Sequence, residues 1–127
     1  MSELSIELAE GRTNYRPGET LAGVASWRLD EPVDELEVRL LWFTRGKGTQ
    51  DVSVIDHREF RSPGLSGHRE FTFNLPDEPY SFSGRLISLI WALELVTPRG
   101  KESTRVEFVL SPYDSEIVLG SAEEASA

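Results

Sequence analysis

A chain of 127 residues, 39% hydrophobic and 28% charged, has the composition of a globular protein and the length to bury one hydrophobic core but not two. It contains no cysteine, which excludes disulfides, thiolate nucleophiles and thiolate metal sites. Its net charge of -9 repels nucleic-acid phosphates and anionic membranes, so we expect no nucleic-acid partner and expect any charged partner to be basic.

The start of the chain lacks the basic residues and apolar block of a signal peptide. No stretch approaches the roughly 18 apolar residues that a membrane span requires. We therefore expect a cytoplasmic protein without integral membrane association.

The dominant pattern is an alternation of apolar and polar residues with period two, which is typical of strands with one buried face. Segment 85–97 carries apolar residues on both faces, so it is expected to be the central, most buried strand. Trp27, Trp42 and Trp91 all fall on apolar positions and are expected to pack in the core. In chain order the predicted strands are Leu4–Leu8, Thr20–Leu29, Asp34–Arg45, Asp51–Phe60, Phe71–Leu75, Arg85–Thr97 and Val106–Leu110.

Turn-forming residues separate these strands. Pro17 fixes φ and Gly18 tolerates a positive φ, so the segment 16–19 predicts a tight turn. Beyond Tyr113 the alternation weakens and the residues become small and acidic. We predict a single domain over residues 1–113 and an acidic, partly disordered C-terminal extension over 114–127.

Four segments become informative when they are taken together. Tyr15–Val24 reads YRPGETLAGV, Phe71–Pro76 reads FTFNLP, Pro79–Gly84 reads PYSFSG, and Ile90–Leu95 reads IWALEL. Their order and spacing resemble the arrestin-like superfamily, and the resemblance covers residues 4–110. The predicted fold class is all-β, an immunoglobulin-like or arrestin-like antiparallel β-sandwich of about seven strands. A generic immunoglobulin-like sandwich is the alternative.

Members of the arrestin-like superfamily generally contain two such sandwiches packed together, and this chain has length for one. Their interdomain polar core and phosphate-sensing switch therefore do not carry over. The resemblance implies a scaffold that binds partner proteins without catalysis, and it transfers no individual functional residue.

The two histidines of the chain, His57 and His68, begin two copies of the tetrapeptide HREF. If their strands form a hairpin that pairs Phe60 with His68, side-chain alternation places the histidines on opposite faces. A metal ion needs three or four converging ligands, so this arrangement predicts exposed charge pairs across the strands instead. The segment 64–68 (GLSGH) lacks the spacing of a nucleophile elbow and is expected to be a loop. We predict no catalytic residue, no metal site and no cofactor.

Apolar residues also lie on strand faces turned away from the core, beside charged ones. Such a face is more apolar than a monomer needs, and it points to a second sheet, to dimerisation or to a bound partner. The aromatic loop 79–82 either anchors a partner or caps the open end of the sandwich. The candidate partner-binding residues are Leu41, Phe43, Tyr80, Phe82, Ile90 and Val96.

These patterns predict a non-catalytic, bacterial-type protein that binds another protein, through an exposed sheet face or by adding a strand at a sheet edge. The partner is an unidentified protein or a second copy of this chain. The alternative function is a small-ligand-binding protein or a hydrolase whose polar loop residues gather at one end of the sandwich. A deep pocket lined by a histidine and aspartates would favour that alternative.

Overall fold

The computed structural model describes residues 2–46, 48, 50–84 and 86–113, together with the backbone of 117–118. Its regular structure is β, as the alternation predicts, apart from the two short 3-10 turns Ala9–Gly11 and Pro98–Gly100. In chain order the strands are β1 (Glu3–Leu8), β2 (Asn14–Tyr15), β3 (Thr20–Arg28), β4 (Glu35–Gly46), β5 (Val52–Arg61), β6 (Ser66–Asn74), β7 (Phe82–Ser83), β8 (Ile87–Val96), β9 (Ser103–Leu110) and β10 (Ile117–Val118).

The strands form the two sheets of a sandwich. The smaller sheet has the order β1-β3-β6, and all its pairs are antiparallel. The larger sheet has the order β10-β7-β8-β4-β5, and β9 pairs with β8 and β2. The short pairs β2–β9 and β7–β10 are parallel. The predicted all-β sandwich is confirmed, and the predicted strands correspond to the seven long ones.

The core lies between the sheets and contains most of the residues that the period-two pattern placed there, whereas Ile87 at the start of β8 is 40% exposed. Strand β8 is its centre, as predicted, because it pairs with β4 on one side and with β7 and β9 on the other. Trp91 is fully buried and its indole N–H donates a hydrogen bond to the Pro79 carbonyl at 2.8 Å. Trp27 stacks on Phe60, while Trp42 is only partly buried.

The hairpin considered for the two HREF segments does not form, because β5 and β6 lie in different sheets. Strand β5 pairs with β4, and β6 pairs with β3. The connecting loop crosses the end of the sandwich through positive φ values at Ser62 (52°) and Gly64 (72°). The Pro63 carbonyl in this loop accepts a hydrogen bond from the Trp27 indole at 3.1 Å. The crossing lets each segment bury its phenylalanine from a different side of the core.

The predicted tight turn at 16–19 forms, and Glu19 fixes it. The Glu19 carboxylate accepts hydrogen bonds from the Arg12 guanidinium at 3.0 and 3.1 Å and from the Arg16 backbone N–H at 2.6 Å. The guanidinium of Arg12 also lies 4.3 Å from the ring centre of buried Tyr15. The hydrogen bond from Arg12, followed by that from the Arg16 backbone, holds the pKa of Glu19 below its ordinary value.

Replacing Glu19 by glutamine is expected to lower the free energy of unfolding near neutral pH but not in strong acid. A carboxyl whose pKa is lowered by folding adds stability that is full above its ordinary pKa and is lost as pH falls through the lowered value. The carboxylate is partly exposed, so we expect a loss below about 1 kcal/mol. Thermal melts of both proteins at about pH 7 and about pH 2 measure the difference. An equal difference at both pH values would contradict the role of the carboxylate charge.

The described part of the chain contains one sandwich, and the predicted extension 114–127 falls outside it except for the backbone of Ile117–Val118. That short strand pairs with Phe82–Ser83. Single-domain organisation and disorder of the extension stay predictions.

Candidate binding face

The outer face of the larger sheet carries a second apolar cluster, separate from the core. Leu41 and Phe43 of β4 lie opposite Ala92 and Ile90 of β8 in the strand register. Leu41 exposes 1% of its surface and Phe43 exposes 7%. We call these four residues the outer apolar cluster. The period-two pattern placed Leu41, Phe43 and Ile90 on this face.

A layer of arginine and glutamate side chains covers the cluster. The guanidinium of Arg105 lies 4.6 Å from the Phe43 ring centre, and that of Arg45 lies 5.4 Å from it. Arg105 donates a hydrogen bond to Glu94, and Arg45 donates one to Glu107, both at 3.0 Å. The cluster is therefore buried under cations that are themselves held in place by carboxylates.

The network continues along β4 toward the far end of the face. Arg39 contacts Glu37 in its own strand and lies 3.9 Å from a carboxylate oxygen of Glu94 in β8. Cations and carboxylates therefore alternate across the outer surface of the sheet. Surface pairs of this kind contribute little stability each.

At the edge of this face, on β5, several apolar side chains are open to solvent. Val52 and Val54 lie opposite Phe43 and Leu41, and they are 61% and 50% exposed. The next residue, Ile55, is also exposed and is the extra residue where the β4–β5 register shifts. We call Val52–Ile55 the apolar edge segment. In the described part of the chain, no strand pairs with the free side of β5.

The other predicted partner-binding residues do not join this edge. Val96 is buried near the opposite end of β8, and Phe82 packs against the main core from β7. Tyr80 is exposed beside Ser81, whose hydroxyl oxygen accepts a hydrogen bond from the Leu110 backbone N–H at 2.9 Å. Packing of Phe82 against the core agrees with the capping alternative for this loop, while the exposure of Tyr80 leaves the anchoring alternative open. Partner binding by any of the six candidates stays a prediction.

A wide surface groove of about 780 Å³ lies beside the first residues of β1 and β9. Its lining includes hydroxyl groups from Ser5, Ser26 and Ser103 but contains neither histidine nor aspartate. A serine nucleophile needs an adjacent base, and this lining supplies no imidazole for that role. The groove therefore lacks the histidine and aspartates that would favour the ligand-binding or hydrolytic alternative.

Strand pairing brings one unexpected set of side chains together on the outer face, near the first residues of β4 and the last residues of β5. Glu37 of β4 lies directly opposite Glu59 of β5, and His57 lies on the same face two residues earlier. One possible metal-ligand atom from each of the three lies within 4.8 Å of the others. Sequence reasoning missed Glu37 because it paired the strand of His57 with β6 rather than β4.

Among the described residues, no helix is long and apolar enough to cross a membrane.

No family model matches the chain, and no curated protein matches its sequence. Among solved structures it is similar to Spo0M, a sporulation control protein from Bacillus subtilis, with 17% identity and a TM-score of 0.62. The match covers 88% of this chain and 50% of the Spo0M chain, so this chain spans half the length of that structure. A β-glucosidase from Listeria innocua matches with 13% identity and a TM-score of 0.48, over 91% of this chain and 17% of the glucosidase chain.

The likeness to Spo0M shows the fold and nothing more, because the identity is low. The sandwich is of the all-β class and is consistent with the arrestin-like fold that the sequence resemblance implies. The likeness to the glucosidase is too low to carry an argument.

Proposed function

We propose that this chain is a cytoplasmic, arrestin-like regulatory or scaffold protein that binds a partner protein without catalysis. Its partner adds an extended segment to the edge of β5, with apolar side chains at alternate positions and basic residues beside them. The observation that carries the proposal is the apolar edge segment, Val52–Ile55, on a strand edge that no described strand covers. The similarity to a sporulation control protein agrees with a regulatory role.

Only one half of β5 suits strand addition. Its second half, 56–61, carries acidic and basic side chains, which discourage pairing with other strands. The first half carries none within Val52–Ile55, and its side chains continue the outer apolar cluster at Phe43 and Leu41. An added strand would receive backbone hydrogen bonds from β5, and its apolar side chains would lie beside Val52 and Val54.

Charge supports a partner with basic residues. The chain has a net charge of -9, so its overall field attracts a basic partner. On the outer face Glu94 and Glu107 already pair with Arg105 and Arg45, so a basic residue of the partner would exchange with these arginines. Complementary charge raises the rate of encounter and fixes the register more than it raises affinity. The valines are expected to supply the affinity, because fully burying one such side chain contributes roughly 1.5–3 kcal/mol.

A photo-crosslinking amino acid placed at Val54 tests the proposal. We expect it to form adducts with a partner protein in the native cells, whereas the same amino acid at Leu65 should form none. Leu65 is a matched control because it is 53% exposed, close to the 50% of Val54, but lies in the loop before β6. Mass spectrometry of the adducts identifies the partner and the contacted segment.

The substitution Val54→Lys is expected to abolish those interactions without changing the melting temperature, because the side chain is exposed. Leu65→Lys should leave the interactions intact. Adducts between two copies of this chain would indicate that the partner is a second copy of the chain rather than a different protein. Equal adducts from both positions, or none from Val54, would overturn the proposal.

A further inference from the structure

Three side chains on the outer face, Glu37, His57 and Glu59, have the donor set of a metal site. Glu37 and Glu59 are direct cross-strand partners, and His57 belongs to the same strand and face as Glu59. The Nε2 atom of His57 lies 3.8 Å from an Oε1 atom of Glu59, and one ligand atom from each residue fits within 4.8 Å. The set combines an imidazole with two carboxylates from adjacent strands whose backbones fix their spacing.

These distances are close to what a tetrahedral zinc ion needs. Zinc binds nitrogen and carboxylate oxygen at about 2.0–2.2 Å, which places neighbouring ligand atoms about 3.3 Å apart. Side-chain rotations that move the ligand atoms by about 1–2 Å close the difference. We propose that Glu37, His57 and Glu59 bind a divalent first-row transition-metal ion, foremost Zn²⁺, with water in the remaining position.

The contacts of Arg39 and Arg61 with the two carboxylates can break when a metal ion binds. Arg61 lies 3.7 Å from Glu59, but its side chain is 84% exposed, so this ion pair holds it weakly. Arg39 contacts Glu37 and also faces Glu94, so it retains a carboxylate partner when Glu37 turns to a metal. Two carboxylates directly opposite each other repel across an antiparallel pair, and a divalent cation relieves that repulsion.

The second HREF segment is a natural control for the first. His68 and Glu70 have the same spacing as His57 and Glu59, but they lie opposite Ser26 and Val24 of β3. Val24 therefore takes the cross-strand position opposite Glu70 that Glu37 takes opposite Glu59, and it offers no carboxylate. The sequence repeat is the same at both places, and the neighbouring strand makes the difference.

Titration of the metal-free full chain with ZnCl₂ tests the site, observed through the imidazole ¹⁵N resonances. The sequence has two histidines, so the spectrum is assigned with His57→Asn and His68→Asn. We expect the His57 ring to shift and saturate at one equivalent of zinc, while the His68 ring stays unchanged. Glu37→Gln and Glu59→Gln are each expected to weaken binding by about tenfold or more, since even outer-sphere changes cost 10–100-fold at metal sites. Thermal melts without zinc confirm that the variants fold.

MgCl₂ at the same concentrations separates coordination from general attraction to acidic residues. Magnesium prefers oxygen ligands and keeps its waters, so it should not shift the His57 ring. A zinc shift that is equal for both histidines, a shift reproduced by magnesium, or no saturable shift of His57 would overturn the site. The crosslinking experiment at Val54 needs no metal, so either proposal can fail alone.

Discussion

The substitution Trp91→Ala is expected to lower the free energy of unfolding by about 3–5 kcal/mol, the range for truncating a fully buried large aromatic residue. Trp91 is 0% exposed, lies opposite Trp42 of β4 and Phe108 of β9, and its ring centre is 6.1 Å from that of Phe108. Alanine would leave a cavity at the centre of the larger sheet, where close packing on both sides prevents collapse. Urea unfolding followed by circular dichroism measures the loss.

Two further variants separate the causes of that loss. Trp91→Phe keeps a ring in the core but removes the donor to the Pro79 carbonyl, so it should cost about 1–3 kcal/mol. Trp42→Ala truncates the cross-strand neighbour, which is only partly buried, and should cost less than Trp91→Ala. A Trp91→Ala variant within about 1 kcal/mol of the wild type would contradict the packing assigned to β8.

The strands and the core followed from local alternation, because the period of two decides which residues face inward whatever the partner strand is. Leu36, Val38 and Leu40 all lie in the core as the pattern predicts. The pairing of strands did not follow, since it depends on the loop 62–65 rather than on either strand. Positive φ at Ser62 and Gly64 takes the chain to the other sheet, and no alternation pattern encodes that crossing.

The candidate binding face was predictable as a set of outward residues but not as a surface. Leu41 and Phe43 were placed on the correct face, yet their burial depends on Arg105, which lies about sixty residues away in the chain. Predicting this burial requires the knowledge that β9 pairs with β8. The exposed edge at Val54 depends in turn on the register shift at Ile55, which sequence reasoning did not anticipate. Long-range register accordingly decides which apolar residues meet solvent.

Substitution of Gly46, the last residue of β4, is expected to lower the free energy of unfolding about as much as a truncation in the core. At Gly46, φ is 153° and an added Cβ would lie 2.0 Å from the Leu86 carbonyl oxygen and 2.9 Å from the Ile87 Cα. Both atoms belong to the backbone of the neighbouring chain segment, so no side-chain rotation can relieve the contact. Gly46→Ala is therefore expected to cost about 3 kcal/mol, the upper end for overpacking, by forcing β4 and β8 apart at this end.

The substitution Gly48→Ala is the matched control for Gly46→Ala. Gly48 also has a positive φ, 91°, but among the described residues, its two chain neighbours aside, no heavy atom lies within 4 Å of its added Cβ. It should therefore show only the backbone cost of an L-residue in this region, about 1–2 kcal/mol. Urea unfolding of the two variants gives the difference directly. A larger loss at Gly46 is the result expected from the close approach of Leu86, whereas equal losses would contradict a role for that contact.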